Sequence, residues 1–166
     1  MADGLLYLLE NKLTKNIGIS NYRMEELDFI VKYTKGKIGY NEMHYNLTIR
    51  EPEITGELQF CRDNNIILSA YRPLQLGQLS RPGIRLLDEI AKKYAKTQSQ
   101  IALKWLVQKE GVTALVKSLN HRHIKENLKI FSFEIESEDI AKLDSNFPIQ
   151  IRTSDCCTPQ KPKLTT

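Results

Sequence analysis

Hydrophobic and polar positions change period repeatedly along this chain. In residues 2–12, Leu5, Leu6, Leu8 and Leu9 fall on one apolar stripe at helical spacing. A short apolar run, Ile17-Gly18-Ile19, follows and stops at Ser20-Asn21. Residues 23–33 return to an amphipathic helical pattern that Lys35-Gly36 ends. Ile38 to Met43 predicts a strand. Pro52 stands early in a predicted helix that runs to about Asp63, before Asn64-Asn65. Ile66-Ile67-Leu68-Ser69-Ala70-Tyr71 is a continuous apolar run between turn residues and predicts a buried strand. Beyond a loop with Pro73, Gly77, Pro82 and Gly83, helices are expected at 84–95 and 98–109. A strand from Val112 to Val116, a short helix at 121–128 and a last helix at 137–144 complete the pattern. The tail from Phe147 carries three prolines and no period, so an irregular segment is expected over 147–166.

Strands that alternate with helices pair in parallel through right-handed crossovers. The predicted fold is therefore α/β, with about four parallel strands and a C-terminal helix and tail. Four strands make a small open sheet or part of a (β/α)8 barrel. A closed barrel typically takes ~250 residues, and 166 are too few.

Composition narrows the class without choosing a function. Hydrophobic residues make up 41% and charged residues 27%, which excludes a disordered or collagen-like chain. The net charge of +4 comes from 24 basic and 20 acidic residues, too mild and diffuse to imply a nucleic-acid partner. No apolar run approaches the ~18–20 residues of a membrane span, and Met1-Ala2-Asp3-Gly4 lacks the features of a secretory signal. Cys61, Cys156 and Cys157 do not make a disulfide framework, so a reducing, cytoplasmic setting is expected. The adjacent Cys156-Cys157 read as surface thiols.

Ligands of parallel α/β folds gather at the C-terminal ends of the strands. Four segments fall there: Ser20-Asn21, Asn41-Glu42, Tyr71-Arg72-Pro73-Leu74 and Lys117-Ser118. Lys117-Ser118 precedes a short helix with Arg122, Lys125, Glu126 and Asn127. A lysine, a hydroxyl and the N–H groups of a helix start can cradle a phosphate; a solvated basic helix face accounts for the same charges. Tyr71 offers a flat face for a ligand ring, or a core contact. Ser20-Asn21 can bind an amide, or cap the next helix. There is neither a G-x-G-x-x-G nor a G-x-x-x-x-G-K-[ST] motif. His44, His121 and His123 lack partners at metal-ligand spacing, and no G-x-S-x-G elbow is present. No metal site is expected.

At these same segments the sequence resembles the aldo-keto reductases, NADPH-dependent oxidoreductases built on a (β/α)8 barrel. Ile17-Gly18-Ile19-Ser20-Asn21-Tyr22 is similar to the family's I-G-V-S-N-F, and Asn41-Glu42-Met43-His44-Tyr45-Asn46-Leu47 to N-Q-V-E-Y-N-L. Phe60-Cys61-Arg62 through Ala70-Tyr71-Arg72-Pro73-Leu74 resembles F-C-R…A-Y-S-P-L. Gln100-Ile101-Ala102-Leu103-Lys104-Trp105 is similar to Q-x-A-L-R-W, and Val116-Lys117-Ser118…Glu126-Asn127-Leu128 to P-K-S…E-N-L. The resemblance implies that residues 1–146 are the C-terminal half of the barrel and hold NADP(H). By it, Ser20 and Asn21 hold the nicotinamide carboxamide, and Tyr71 stacks on the nicotinamide ring. Leu74 and Gly77 lie in the loop that passes the pyrophosphate. Lys117 and Ser118 meet the 2′-phosphate, and Glu126 and Asn127 read the adenine edge.

Four positions depart from the family pattern. Glu42 stands where the family has glutamine, which exchanges an amide donor for a carboxylate that can accept from the carboxamide. Arg72 replaces a serine beside the phosphates and Val116 replaces a proline. His123 falls where many members carry an arginine, with Arg122 adjacent. The family's catalytic Asp, Tyr, Lys and His come from the first half of its barrel, and nothing in this sequence matches them; His44 and Tyr45 align with a different strand. No catalytic residue is therefore expected here. One reading is the cofactor half of a reductase of aldehydes and ketones, truncated or completed by another polypeptide that would also bring the carbonyl substrate. The other is a non-catalytic NADP(H)-binding or interaction half-barrel. Open strand edges near Ile17–Ser20 and Val112–Val116 predict a homodimer, or dependence on a completing half.

Overall fold

The computed structural model describes residues 2–147. Its elements, in order, are α1 (Ala2–Glu10), β1 (Ile17–Ser20), α2 (Met24–Tyr33), β2 (Ile38–His44), α3 (Glu51–Ile54), α4 (Glu57–Asp63) and β3 (Ile67–Tyr71). A 3-10 stretch (Gln75–Ser80) follows, then α5 (Arg85–Lys93), α6 (Gln98–Val107), β4 (Val112–Leu115), α7 (His121–Leu128), a 3-10 turn (Lys129–Ser132) and α8 (Ser137–Asn146). The strands form one parallel sheet in the order β1-β2-β3-β4, as the alternating pattern predicts.

Register sorts the strand residues into two faces. Gly18, Tyr40 and Ile67 lie in one row, Ser20, Glu42, Ser69 and Thr113 in the next, and His44, Tyr71 and Leu115 in the last. The opposite face is the covered one. There Met43, Leu68 and Ala70 belong to a core with Leu87 and Ile90 of α5, Ile101 and Trp105 of α6, and Leu143 of α8. A smaller core gathers Ile17, Ile19, Ile38, Cys61 and Ile66 with Leu27 and Ile30 of α2, and Leu5 and Leu9 of α1 pack on it. Burial of this apolar area is the main stabilising force.

Two expectations need correction. The helix expected from Pro52 to Asp63 is two helices, because Gly56 takes a left-handed backbone (φ +94) between them. The Thr55 hydroxyl donates to the Glu51 carbonyl at 2.8 Å and finishes the first piece. Secondly, β3 is not buried on both sides. Its residues alternate, with Leu68 and Ala70 covered and Ile67 49% exposed, since helices lie on one face only. The expected tail and Cys156-Cys157 lie outside the described residues. Among the described residues no helix is long and apolar enough to cross a membrane, and no group of three His, Cys, Asp or Glu side chains could hold a metal.

Candidate functional site

The C-terminal ends of β3 and β4 open into a groove of about 900 Å³. One wall is the chain that leaves β3: Tyr71, Arg72, Pro73, Leu74, Leu76, Gly77 and Ser80. The other is the end of β4 and the start of α7: Leu115, Val116, Lys117, Ser118, Arg122, His123, Glu126 and Asn127. The first turn of α6, with Thr97, Gln98 and Ser99, closes one side. Ten of the thirteen residues expected at a cofactor site thus share one concavity: Tyr71, Arg72, Leu74, Gly77, Lys117, Ser118, Arg122, His123, Glu126 and Asn127.

The other three, Ser20, Asn21 and Glu42, lie across the sheet at the ends of β1 and β2. A smaller pocket of about 350 Å³ includes Ser20 and Glu42 beside Gly18, Ile19 and Tyr40. Asn21 joins the two regions, since the Tyr71 hydroxyl donates to its Oδ1 at 3.0 Å. Asn21 itself has a left-handed backbone (φ 60), and its N–H donates to the Glu42 carbonyl at 2.8 Å. The Ser20 hydroxyl reaches the same carbonyl at 3.3 Å. Ser20 and Asn21 therefore make a turn pinned to the end of β2, with the far end of the Tyr71 side chain fastened to it.

At the other end of the groove the charges are basic. Among the described residues, Arg72, Lys117 and Arg122 line it with a single carboxylate, Glu126, and that carboxylate is engaged by Arg122 at 3.2 Å one helical turn away. Lys117 is exposed. The Asn120 side chain caps α7 by accepting from the Arg122 N–H at 2.9 Å, and the Ser118 hydroxyl accepts from the Asn120 N–H at 3.1 Å. One N–H of this helix start is thus already bonded within the chain. Gln100 of α6 donates to the Glu126 carbonyl at 2.8 Å and anchors the last turn of α7.

The wall after β3 has an unusual backbone. Arg72, Gln75, Leu76 and Gly77 all take positive φ, of 49°, 45°, 54° and 88°. Three of these residues carry a Cβ, and each such conformation costs on the order of 1–3 kcal/mol and persists only where its surroundings hold it. Open space surrounds the position a Cβ would take at Gly77, so backbone there is accessible from the groove. An aromatic ring at one end, exposed backbone between, and cations with hydroxyls at the other suit an elongated ligand with a flat ring and several phosphates.

Neither Tyr45 nor His44 lines the groove. Tyr45 is fully buried, donates to Glu53 and tilts against Trp105 with centroids 5.6 Å apart. Burial above all, and then the Glu53 carboxylate, push its phenol well above the usual tyrosine range. His44 is also buried, stacked on Tyr71. Sequence reasoning missed Thr97, Gln98 and Ser99. The Thr97-x-x-Gln100 capping box marks them as a helix start, but nothing local says that this start faces β4.

Comparison with known proteins agrees with this geometry. The sequence profile of the aldo/keto reductase family matches residues 11–146. Aldose reductase B of Dictyostelium discoideum is 34% identical over 152 residues, covering 92% of this chain and 46% of that protein. Glyoxal reductase of Bacillus subtilis is 33% identical over 129 residues, covering 78% of this chain and 45% of that protein. Among solved structures, the thermostable aldo-keto reductase Tm1743 in complex with epalrestat superposes with a TM-score of 0.82 at 34% identity, covering 87% of this chain and 53% of that one. The NADPH complex of a Gox0644 mutant gives 0.77 at 25% identity, covering 87% and 51%. The fold is a parallel β/α sheet of the TIM-barrel kind. The chain belongs to the aldo/keto reductase family, and it spans about half the length of these relatives.

Proposed function

We propose that this chain is the cofactor-holding, C-terminal half of an NADP(H)-dependent aldo-keto reductase, and that the reaction it serves is reduction of an aldehyde or ketone to an alcohol in the cytoplasm. One observation carries this reading: ten residues from three separate stretches of sequence, each expected at a cofactor, line one groove. The family membership and the NADPH bound by a relative support it. When bound, the nicotinamide supplies hydride. In this chain Tyr71 would present its ring to the nicotinamide, and Ser20, Asn21 and Glu42 would hold the carboxamide. Gly77 and Leu74 border the pyrophosphate, with Arg72 at its edge. Lys117 and Arg122 would neutralise the 2′-phosphate beside His123, with the Ser118 hydroxyl as a donor, while Glu126 and Asn127 would border the adenine. Proton donation to the forming alkoxide belongs to residues that this sequence does not match, so turnover requires a completing half.

The test is cofactor discrimination. Lys117→Met removes a charged contact to the 2′-phosphate and is expected to weaken NADPH binding by ~1–3 kcal/mol, with a much smaller effect on NADH. Fluorescence titration measures both, and equal weakening would remove Lys117 from the 2′-phosphate. A second reading, cofactor binding without turnover, is favoured by the commitment of His44 and Tyr45 to internal contacts.

A further inference from the structure

The end of β2 carries buried polar groups that take no part in lining the groove. His44 and Asn46 are 3% and 0% exposed. The His44 ring lies along the Tyr71 ring, with centroids 5.3 Å apart and planes 22° from parallel. Its Nε2 lies 2.9 Å from Gln75 Oε1 and 3.3 Å from Asn46 Nδ2, and in the shorter contact, to an oxygen that only accepts, Nε2 is the donor. The Asn46 amide is used completely. Its Nδ2 donates to the Arg72 carbonyl and to Gln75 Oε1, both at 2.9 Å. Its Oδ1 accepts from the Thr48 N–H, the Thr48 hydroxyl and the Ile49 N–H at 2.8–3.0 Å.

These contacts reach the two parts of the groove that most need holding. Tyr71 is tied at its hydroxyl to Asn21, and His44 backs one face of its ring. The groove opens on the β4 side of Tyr71 and has no β2 residue in its lining. Arg72 and Gln75 are two of the positive-φ residues of the groove wall. Asn46 bonds to both, and His44 bonds to Gln75. A free loop would relax out of such backbone.

We propose that His44 and Asn46 are positioning residues: the His44 ring sets the plane of Tyr71, and the His44–Asn46–Gln75 hydrogen bonds hold the wall over 72–77 in its strained form. This rests on the reading of the groove as an NADP(H) site. The two roles separate by substitution, since His44→Gln keeps a donor for Gln75 and loses the ring, whereas His44→Phe keeps the ring and loses the donor.

The full chain is titrated with NADPH and with 2′,5′-ADP, which has the adenosine end and no nicotinamide. Amide exchange of the ligand-free protein is followed over 72–80, where the N–H groups of Gln75, Gly77 and Leu79 bond to Arg72 and Leu74 carbonyls. His44→Gln is expected to weaken NADPH binding by up to about tenfold, the scale of an aromatic pair, with 2′,5′-ADP binding and loop exchange unchanged. His44→Phe and Asn46→Ala are expected to speed exchange over 72–80 but not in β3, and His44→Phe to hold NADPH within about twofold of the parent chain, since the aromatic pair survives. Equal loss of both ligands in His44→Gln, or none, overturns the role of the ring. Unchanged exchange in Asn46→Ala overturns the role of the hydrogen bonds. A parent chain that binds neither ligand overturns the cofactor reading, and with it the ring's role, while the exchange result still decides the wall. If the parent binds and Lys117→Met discriminates normally, failure of His44→Gln counts against the positioning role alone.

Discussion

At the scale of single residues, the most consequential charges lie away from the groove. Arg50 is 4% exposed, and it pairs with Glu53 at 2.5 Å and donates to the carbonyls of Asp144 and Phe147 at 3.0 and 2.9 Å. Its guanidinium also stands 5.4 Å from the centre of the Trp105 ring. One side chain thus closes the end of α8 and pairs with a half-buried carboxylate. Burial pushes the Glu53 carboxyl up, but hydrogen bonds from Arg50 and Tyr45 and the charge of Lys109 outweigh it, and the net shift is downward. Asp139 is also lowered, chiefly by its hydrogen bond from Lys93. A carboxyl whose folded value lies below its unfolded one adds stability that is complete above the unfolded value, ~4.3 for Glu. That stability is lost as pH falls through the folded value. Thermal melts are therefore expected to drop steeply below about pH 4, and Glu53→Gln to flatten part of that slope. A slope unchanged by Glu53→Gln would show that other carboxyls govern acid unfolding. Arg50→Met is expected to cost ~1–3 kcal/mol in urea denaturation, because it removes a charged hydrogen-bond partner from the half-buried Glu53, which keeps Tyr45 and Lys109.

At the scale of elements, the break after Pro52 and the exposure of α7 matter most to how the groove is held. Gly56 divides the stretch after Pro52, and the nearest atom to a Cβ placed there is Met24 Sδ at 3.8 Å, an ordinary contact. A side chain at this position meets no clash, only left-handed backbone. Gly56→Ala is expected to destabilise the protein by about 1–2 kcal/mol through that backbone alone, as read by urea denaturation. A neutral result would mean that α3 and α4 can merge into one helix. The other element is α7. It has no buried residue, nor has β4 before it, and Ile124, Leu128 and Phe131 are 41%, 63% and 71% exposed one helical turn apart. The groove wall made by α7 is thus held chiefly by the Gln100–Glu126 bond and the Asn120 cap.

At the scale of the whole molecule, the sheet of the described residues ends on β1 and β4, and Tyr40, Ile67 and Leu115 are exposed on its uncovered face at 42%, 49% and 54%. Unpaired strand edges beside apolar surface favour association. Self-association of this chain through these edges is therefore our proposal, with one geometric restriction. In a (β/α)8 ring one helix flanks each gap between strands. Here α1 packs outside β1 and α7 follows β4, so a ring of two copies brings α1 of one and α7 of the other to the same seam. Association is expected to be open and concentration-dependent rather than a sealed dimer. Light scattering at micromolar concentration should show a mass above one chain and rising, together with binding of an apolar dye. A monodisperse monomer that binds no dye would contradict this.

The sequence alone determined the order of elements, the parallel sheet and the residues that end its strands. Each of those properties is written within a few consecutive residues: the alternation around Ile17–Asn21, the apolar run into Tyr71, the polar pair Lys117-Ser118 after Val112–Val116. The resemblance to aldo-keto reductases rests on the same short stretches. Tertiary structure decided which of these residues meet. Tyr71 bonds Asn21 across 50 positions, His44 meets Gln75 across 31, and Gln100 meets Glu126 across 26. No local period encodes such distances, because they depend on strand register and on how each crossover packs its helix against the sheet. The same holds for Ile67, apolar in sequence like its neighbours, which is exposed because helices cover only the other face of its strand. Burial is a property of what lies opposite a residue, and for a sheet that partner is chosen by the fold.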